Sequence, residues 1–181
     1  VQMTPGDAWS VVAPDHAWGT WETIVYLSVV ANEVREQYPY VAPLRVNHIS
    51  KKEGGYLRPH HSHQSGRDAD LGFYYRAGMN PLQVKGPREL ALDLPANWAL
   101  CRALATQTDP QVILVDRRVQ RVLYDYALSI GEDKAWLDSL FNAGRASLFQ
   151  HVRRHRDHFH VRFFSPRSQE LGWRIQPLLA K

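Results

Sequence analysis

A single cysteine in 181 residues rules out a disulfide framework within the chain and leaves the redox compartment open. Cys101 sits in the apolar stretch Trp98-Ala99-Leu100-Cys101-Arg102-Ala103-Leu104, which reads as a helix face. A buried structural thiol therefore fits it better than a nucleophile. The same scarcity argues against a closed structural zinc site, because such sites are usually rich in cysteine. No apolar run is long enough to cross a bilayer, so no transmembrane segment is expected. Internal repeats and low-complexity tracts are also missing. The chain opens at Val1-Gln2 without the basic and apolar stretches of a leader, so it is either cytosolic or has had its leader removed. The net charge is only +4, which favours anionic partners such as nucleic acid or an anionic cell-wall polymer. The pairs Arg117-Arg118 and Arg153-Arg154 are too short for a nucleic-acid stripe, so no nucleic-acid partner is expected.

What remains is ordinary globular material, with 44% hydrophobic residues, enough for one domain spanning residues 1–181 with a core of its own. Residues 1–18 are punctuated by Pro and Gly and are expected to wrap the surface. Trp21, Ile24, Val25, Leu27, Val30 and Val34 recur near a helical period, with Thr20 as N-cap and Pro39 as the stop. Residues 44–50 alternate and predict a strand, as do residues 69–76. Residues 77–94 predict a long loop, of the kind that often rims a site. A helix is expected from Pro95 to Thr106 and a buried strand from Gln111 to Asp116. Two more helices follow, over 119–130 and 135–141. The last strand runs from His158 to Phe164 and ends before Pro166. Helices and strands mix without a steady βαβ rhythm and without a glycine-rich phosphate loop. The expected class is α+β, with a central antiparallel sheet flanked by helices.

Seven of the nine histidines lie in two stretches or, for His151, just before the second. One reads His60-His61-Ser62-His63-Gln64-Ser65-Gly66-Arg67-Asp68-Ala69-Asp70. The other, just after His151, reads His155-Arg156-Asp157-His158-Phe159-His160. Neutral imidazole nitrogen and carboxylate oxygen are the donor types of a catalytic zinc that keeps one position open for water. His158 and His160, two apart on a strand, leave the same face of a sheet. If the strand starting at Asp70 is a sheet neighbour, His63, Asp70 and His160 can converge on one ion. His158 then stands beside the metal, free to take a proton from water and pass it to a leaving amine. His155 can bond the oxyanion or the water. His60 is either a further ligand or a partner of one, and Asp68 and Asp157 can fix imidazole tautomers. His16, His48 and His61 read as surface or locally hydrogen-bonded.

These motifs resemble the zinc peptidases that group lysostaphin-type enzymes, D-Ala-D-Ala peptidases and hedgehog domains. Their signature, His-x6-Asp and later His-x-His, stands here as His63-x6-Asp70 and His158-x-His160. The stretch Ser62 to Asp70 and the ending Phe149 to Arg162 are similar to those of penicillin-insensitive murein endopeptidases, a likeness covering roughly residues 40–166. The resemblance implies a hedgehog and D-Ala-D-Ala peptidase-like fold and a periplasmic or secreted bacterial enzyme. Its substrate would be the peptide cross-links of murein. It also implies one zinc on His63, Asp70 and His160, with His158 as base, His155 assisting and His60 near the metal. Unlike well-known members, this chain cannot form disulfides. It also has no His between His63 and His151, which argues against a second metal. Tyr56, Phe73, Tyr74, Tyr75 and the 77–94 loop are expected to line part of the groove, with sheet core as the alternative for the aromatics, a reading that fits Phe73 and Tyr75 at least as well.

Four rivals compete with a murein DD-endopeptidase. A His-rich metal nuclease would need a short ββα metal unit with a nearby Asn and His, which is not seen. A D,D-carboxypeptidase or an L,D-endopeptidase would keep the chemistry and change the bond. A non-catalytic zinc- or murein-binding module would need a decayed site, yet every proposed catalytic residue is present. The sequence leaves oligomeric state open.

Overall fold

Four of the helices start on a side chain that caps them. The structure, a computed structural model, describes residues 1–60, 62–77, 79, 87–153 and 155–179. His61, Arg154 and the middle of the 77–94 loop lie outside the described residues. The Thr20 hydroxyl accepts from the Thr23 amide and opens α1 (Trp21–Gln37). Asp93 opens α2 (Leu94–Gln107), Asp116 opens α3 (Arg117–Ser129) and Asp133 opens α4 (Lys134–Phe141) in the same way. Each cap satisfies one amide that the first turn leaves without a helical partner. A fifth helix, α5 (Pro166–Leu179), starts at the proline that the sequence reading took only as a stop. Proline suits a first helical position because its missing N–H is not needed there. Trp21, counted above in the apolar face of α1, is 68% exposed. Leu27, Val30 and Val34 of that face are fully buried, as the period predicts.

Six strands form one sheet: β1 (Trp9–Val11), β2 (Leu44–Val46), β3 (Asp68–Gly72), β4 (Pro110–Val115), β5 (Phe149–His151) and β6 (His158–Phe163). Their order is β1-β2-β3-β6-β4-β5. The inner four are antiparallel, but β1 runs parallel to β2 and β5 parallel to β4. The sheet is therefore mixed, not purely antiparallel as expected. Each parallel pair is joined by helical chain, α1 in one case and α3 with α4 in the other, as parallel crossovers require. Residues 1–18 supply the edge strand β1 and bury Met3, Ala8 and Ala17. The run from Leu44 to Ser50 is regular strand only to Val46, but its backbone stays bonded to β3 as far as His48: the Asn47 amide donates to the Asp70 carbonyl and the Asp70 amide to the His48 carbonyl, both at 2.9 Å, before the chain builds the loop that carries His60 and His63.

Alternation divides the central strands into two unlike faces. Ala69, Leu71, Phe159, Val161, Phe163, Ile113 and Val115 point to one side and are fully buried in the main core. Phe163 meets Tyr26 of α1 and Phe159 meets Phe73. Asp68, Asp70, His158, His160 and Arg162 take the other side. The packing of Phe159 thus fixes the two histidines that flank it. Phe159→Ala is expected to cost about 3–5 kcal/mol of stability, read by denaturant unfolding, since a buried phenyl is lost and a cavity left. A cost near zero would mean that this strand is not held by its core face.

Candidate metal centre

Asp70 of β3 lies directly opposite His160 of β6, and Gly72 opposite His158. Cross-strand partners present their side chains on the same face. His63 arrives from the preceding loop, which turns back at Gly66. Gly66 has φ +72°, and a Cβ there would lie 3.0 Å from the Thr20 amide nitrogen, so the position demands glycine. Its carbonyl accepts from that same amide at 2.8 Å, fastening the loop to the start of α1.

Three polar atoms meet as a result. His63 Nε2 is 3.1 Å from Asp70 Oδ1 and 3.2 Å from His160 Nδ1, and His160 Nδ1 is 3.0 Å from Asp70 Oδ1. All three residues are buried. The outward nitrogens fix the tautomers. His63 Nδ1–H donates to the Ile49 carbonyl at 2.8 Å, and His160 Nε2–H donates to Asp68 Oδ1 at 2.9 Å. The inward positions are then two imidazole lone pairs and a carboxylate oxygen, three acceptors aimed at one point. Such a set needs a cation or a shared proton between its members. A tetrahedral zinc with bonds of about 2.0–2.1 Å has ligand-to-ligand edges of about 3.3 Å, close to the spacing here. The donor set and its spacing fit zinc.

The electrostatics agree. Burial raises the cost of charge on Asp70, but hydrogen bonds from His160 and His63 outweigh it and hold the carboxyl well below the usual range. Burial likewise opposes protonation of His160, yet its bonds to Asp68 and Asp70 win and push it up to about 9. Asp68 is buried, which would raise its pKa. The His160 hydrogen bond and the Arg162 charge nevertheless keep it low. Arg162 Nε donates to Asp68 Oδ1 at 2.9 Å. Arg162 was missed from sequence, although its place two residues beyond His160 puts it on the same sheet face.

The remaining site residues fall into place around this trio. His60 Nδ1 is 3.6 Å from Asp70 Oδ2, and its Nε2 is 3.0 Å from His48 Nδ1. Burial, then the neighbouring His63, lower the His60 pKa to about 4, so the ring is neutral at pH 7. His48, read from sequence as unremarkable, thus borders the centre. His48, His60 and Asp70 form a second trio that could hold a cation. One proton must lie between the two imidazoles, however, so this pair orients His60 more readily than it offers two free lone pairs. Nothing in the spacing of residues 48 and 60 signals the contact. His16 stacks edge-on against His48 at 5.4 Å.

His158 Nδ1–H donates to Asp157 Oδ1 at 2.8 Å, so the lone pair of the neutral ring is on Nε2, 3.6 Å from Asp70 Oδ1. The hydrogen bond to His158 is the main reason the Asp157 carboxyl titrates low. The His155 ring lies 4.8 Å from that of His158 and 5.9 Å from that of His160. Burial, then His158, keep the His155 pKa below its ordinary value, and its buried Nδ1 has no hydrogen-bond partner among the described residues. Tyr56 is exposed on the loop. Tyr74, expected in the groove, is instead 5% exposed in the core, where its backbone pairs with the Asn97 side chain. Phe73, also expected in the groove, is likewise buried in the core against Phe159, while Tyr75 is half-buried; both border a small pocket that also contains His158. Cys101 is fully buried, and burial pushes its thiol pKa up, as a structural thiol requires. No described helix is long and apolar enough to cross a membrane.

A family model described as penicillin-insensitive murein endopeptidase matches residues 3–178. The match reaches well beyond residues 40–166, where the motif likeness lies. No curated protein matches the chain.

The raised pKa of His160 gives a pH dependence with a definite sign. In protein stripped of metal by a chelator, the extra proton on His160 stabilises the fold fully below the unfolded pKa of about 6.5. That stabilisation is lost as the pH rises through about 9. The Tm of stripped protein should fall across this window. A divalent cation that replaces the proton should flatten the profile and release protons on binding, measured by calorimetry in buffers of different ionisation enthalpy. A level Tm in stripped protein would count against the shared-proton arrangement.

Proposed function

The chain belongs to the penicillin-insensitive murein endopeptidase family, and on that footing we propose that it is a zinc-dependent hydrolase of murein peptide cross-links, acting as a DD-endopeptidase. The observation that carries the zinc reading is the convergence of three buried acceptors, 3.0–3.2 Å apart, with both imidazole tautomers fixed from outside. One ion per chain is held by His63, Asp70 and His160, with His60 as a further ligand or as a partner to one. When bound, zinc supplies Lewis acidity toward a carbonyl and lowers the pKa of water. Asp68 keeps His160 in the ligating tautomer, and Arg162 holds Asp68 in place.

The chain's own groups then handle the protons. His158 Nε2 is open beside Asp70, and Asp157 fixes the opposite nitrogen as a donor. His158 takes a proton from the attacking water as oxygen bonds to the amide carbon. As the C–N bond breaks, His158 returns that proton to the departing amine. His155 is neutral at pH 7 and lies next to His158, so it can donate to the carbonyl oxygen as negative charge grows there. The substrate puts the working protein outside the cytoplasm, periplasmic or secreted. A non-catalytic zinc- or murein-binding module is the weaker reading, because His158 keeps a lone pair beside the trio.

Zinc-loaded protein should convert cross-linked muropeptide dimers to monomers. Chelator should abolish the conversion and added zinc restore it. Mass spectrometry of the products identifies the bond and separates endopeptidase from D,D-carboxypeptidase or L,D-endopeptidase action. His158→Ala should lower kcat by about 10²–10⁴-fold while zinc content stays at that of the unaltered protein. Full activity in that variant would remove His158 from the proton-transfer role.

A further inference from the structure

Arg45 of β2 lies across the sheet from His158, with only a glycine between them. The pairing of Val46 with Leu71 sets Arg45 opposite Gly72, and Gly72 is opposite His158. Two strand spacings separate Arg45 from His158, about 10 Å between backbones, within reach of a guanidinium and a small group lying between. Gly72 keeps that row open. A Cβ at this position would lie 3.1 Å from Arg45 Cβ and 3.8 Å from its Cδ, where the arginine stem now runs.

The gap is a pocket of about 130 Å³ beside His158, and Arg45, Asn47, Tyr75, Arg88 and Asp157 are among the residues that line it. Asp157 already accepts from His158. Arg88 donates toward the Tyr75 hydroxyl and lies close enough to Asp157 to influence its carboxyl. The Arg45 guanidinium is half-buried and makes no ion pair or hydrogen bond among the described residues. Asp157, the carboxylate of the pocket, is bonded to His158 and leaves the Arg45 cation unmatched among the described residues. A half-buried cation without a partner, facing a cavity of this size, is a ready-made carboxylate receptor, since arginine binds carboxylates through paired N–H donors.

We propose that Arg45, assisted by Arg88 and given room by Gly72, binds a free carboxylate on the amine side of the scissile amide. This rests on the peptidase reading above, in which His158 delivers the proton to the departing amine and so marks that side. In a murein cross-link the amine comes from a diamino acid, whose carboxyl can stand on the same carbon as the scissile nitrogen. The pocket therefore selects cross-links in which that carboxyl is free over those in which it is amidated.

The test uses zinc-loaded protein and two synthetic cross-linked dimers that differ only in a carboxylate or a carboxamide on that carbon. Unaltered protein should favour the carboxylate dimer by about tenfold or more in kcat/KM, mainly through KM, as expected for one charge-assisted bidentate contact. Arg45→Gln should bring the ratio to about one, and Arg45→Lys should restore part of it. Gly72→Ala should shrink it by crowding the arginine stem. Equal turnover of both dimers by unaltered protein, or an unchanged ratio in Arg45→Gln, overturns the proposal and leaves the peptidase reading intact. Failure to cleave either dimer would instead sink the peptidase reading. Calorimetric binding of the amine-side product, as carboxylate and as carboxamide, then decides the pocket separately. A preference for the carboxylate that vanishes in Arg45→Gln supports it, and equal binding overturns it.

Discussion

One carboxylate oxygen organises the polar half of this molecule. Asp70 Oδ1 lies within hydrogen-bonding distance of both His63 and His160 and is the atom that His158 faces. Three acceptors so close repel one another unless something positive sits among them, and in a buried setting that repulsion is weakly screened. The surroundings are built to bear it. Ile49 and Asp68 hold the two imidazoles from outside, Arg162 holds Asp68, and the Gly66 turn prevents the loop from swinging His63 away. Breaking any of these supports would leave the trio present in composition but too loose to bind an ion tightly.

The division of labour between sheet faces explains why reactive groups can stand so near a dry core. Phe159 and Val161 alternate with His158, His160 and Arg162 on one strand, so each apolar anchor sets the aim of a polar neighbour. The apolar side meets helices, and the polar side meets loops, among them residues 47–67 and the turn that carries His155 and Asp157. A groove can open on that side without exposing core surface. The small pocket bounded by Arg45 and His158 lies there, and Gly72 is the gap in an otherwise filled row of side chains.

Much of this was legible in the chain. Period-two spacing placed His158 and His160 on one face, and the apolar residues between them fixed which face was dry. The convergence of His63 and Asp70 with them followed from the motif spacing once β3 and β6 were taken as neighbours. Helix starts were readable from Thr20 and from Pro95 because local chemistry sets them. Less legible were features that depend on long-range packing. The parallel edge strands β1 and β5 are three residues each, too short for a pattern to show. Tyr74 looked like a groove aromatic, but it is buried in the core with Phe73, and Tyr75 is left half-buried at the pocket. His48 meets His60 across a loop whose path no local rule specifies. The helix after Pro166 was lost because proline was read as a terminator, when it also suits a first turn.

The strand that carries His158 and His160 is the last of the six in sequence, yet it lies in the middle of the sheet, between β3 and β4. A ribosome therefore finishes both flanks of the sheet before the central ribbon exists. Until it inserts, β3 and β4 have no contact with each other in the ladder and the His63–Asp70 pair lacks His160. Closure of the sheet and completion of the reactive centre are thus one late event, dominated by contacts between distant parts of the chain, which is intrinsically slow. A polypeptide that stalls short of that insertion is at once half a sheet and half a polar centre.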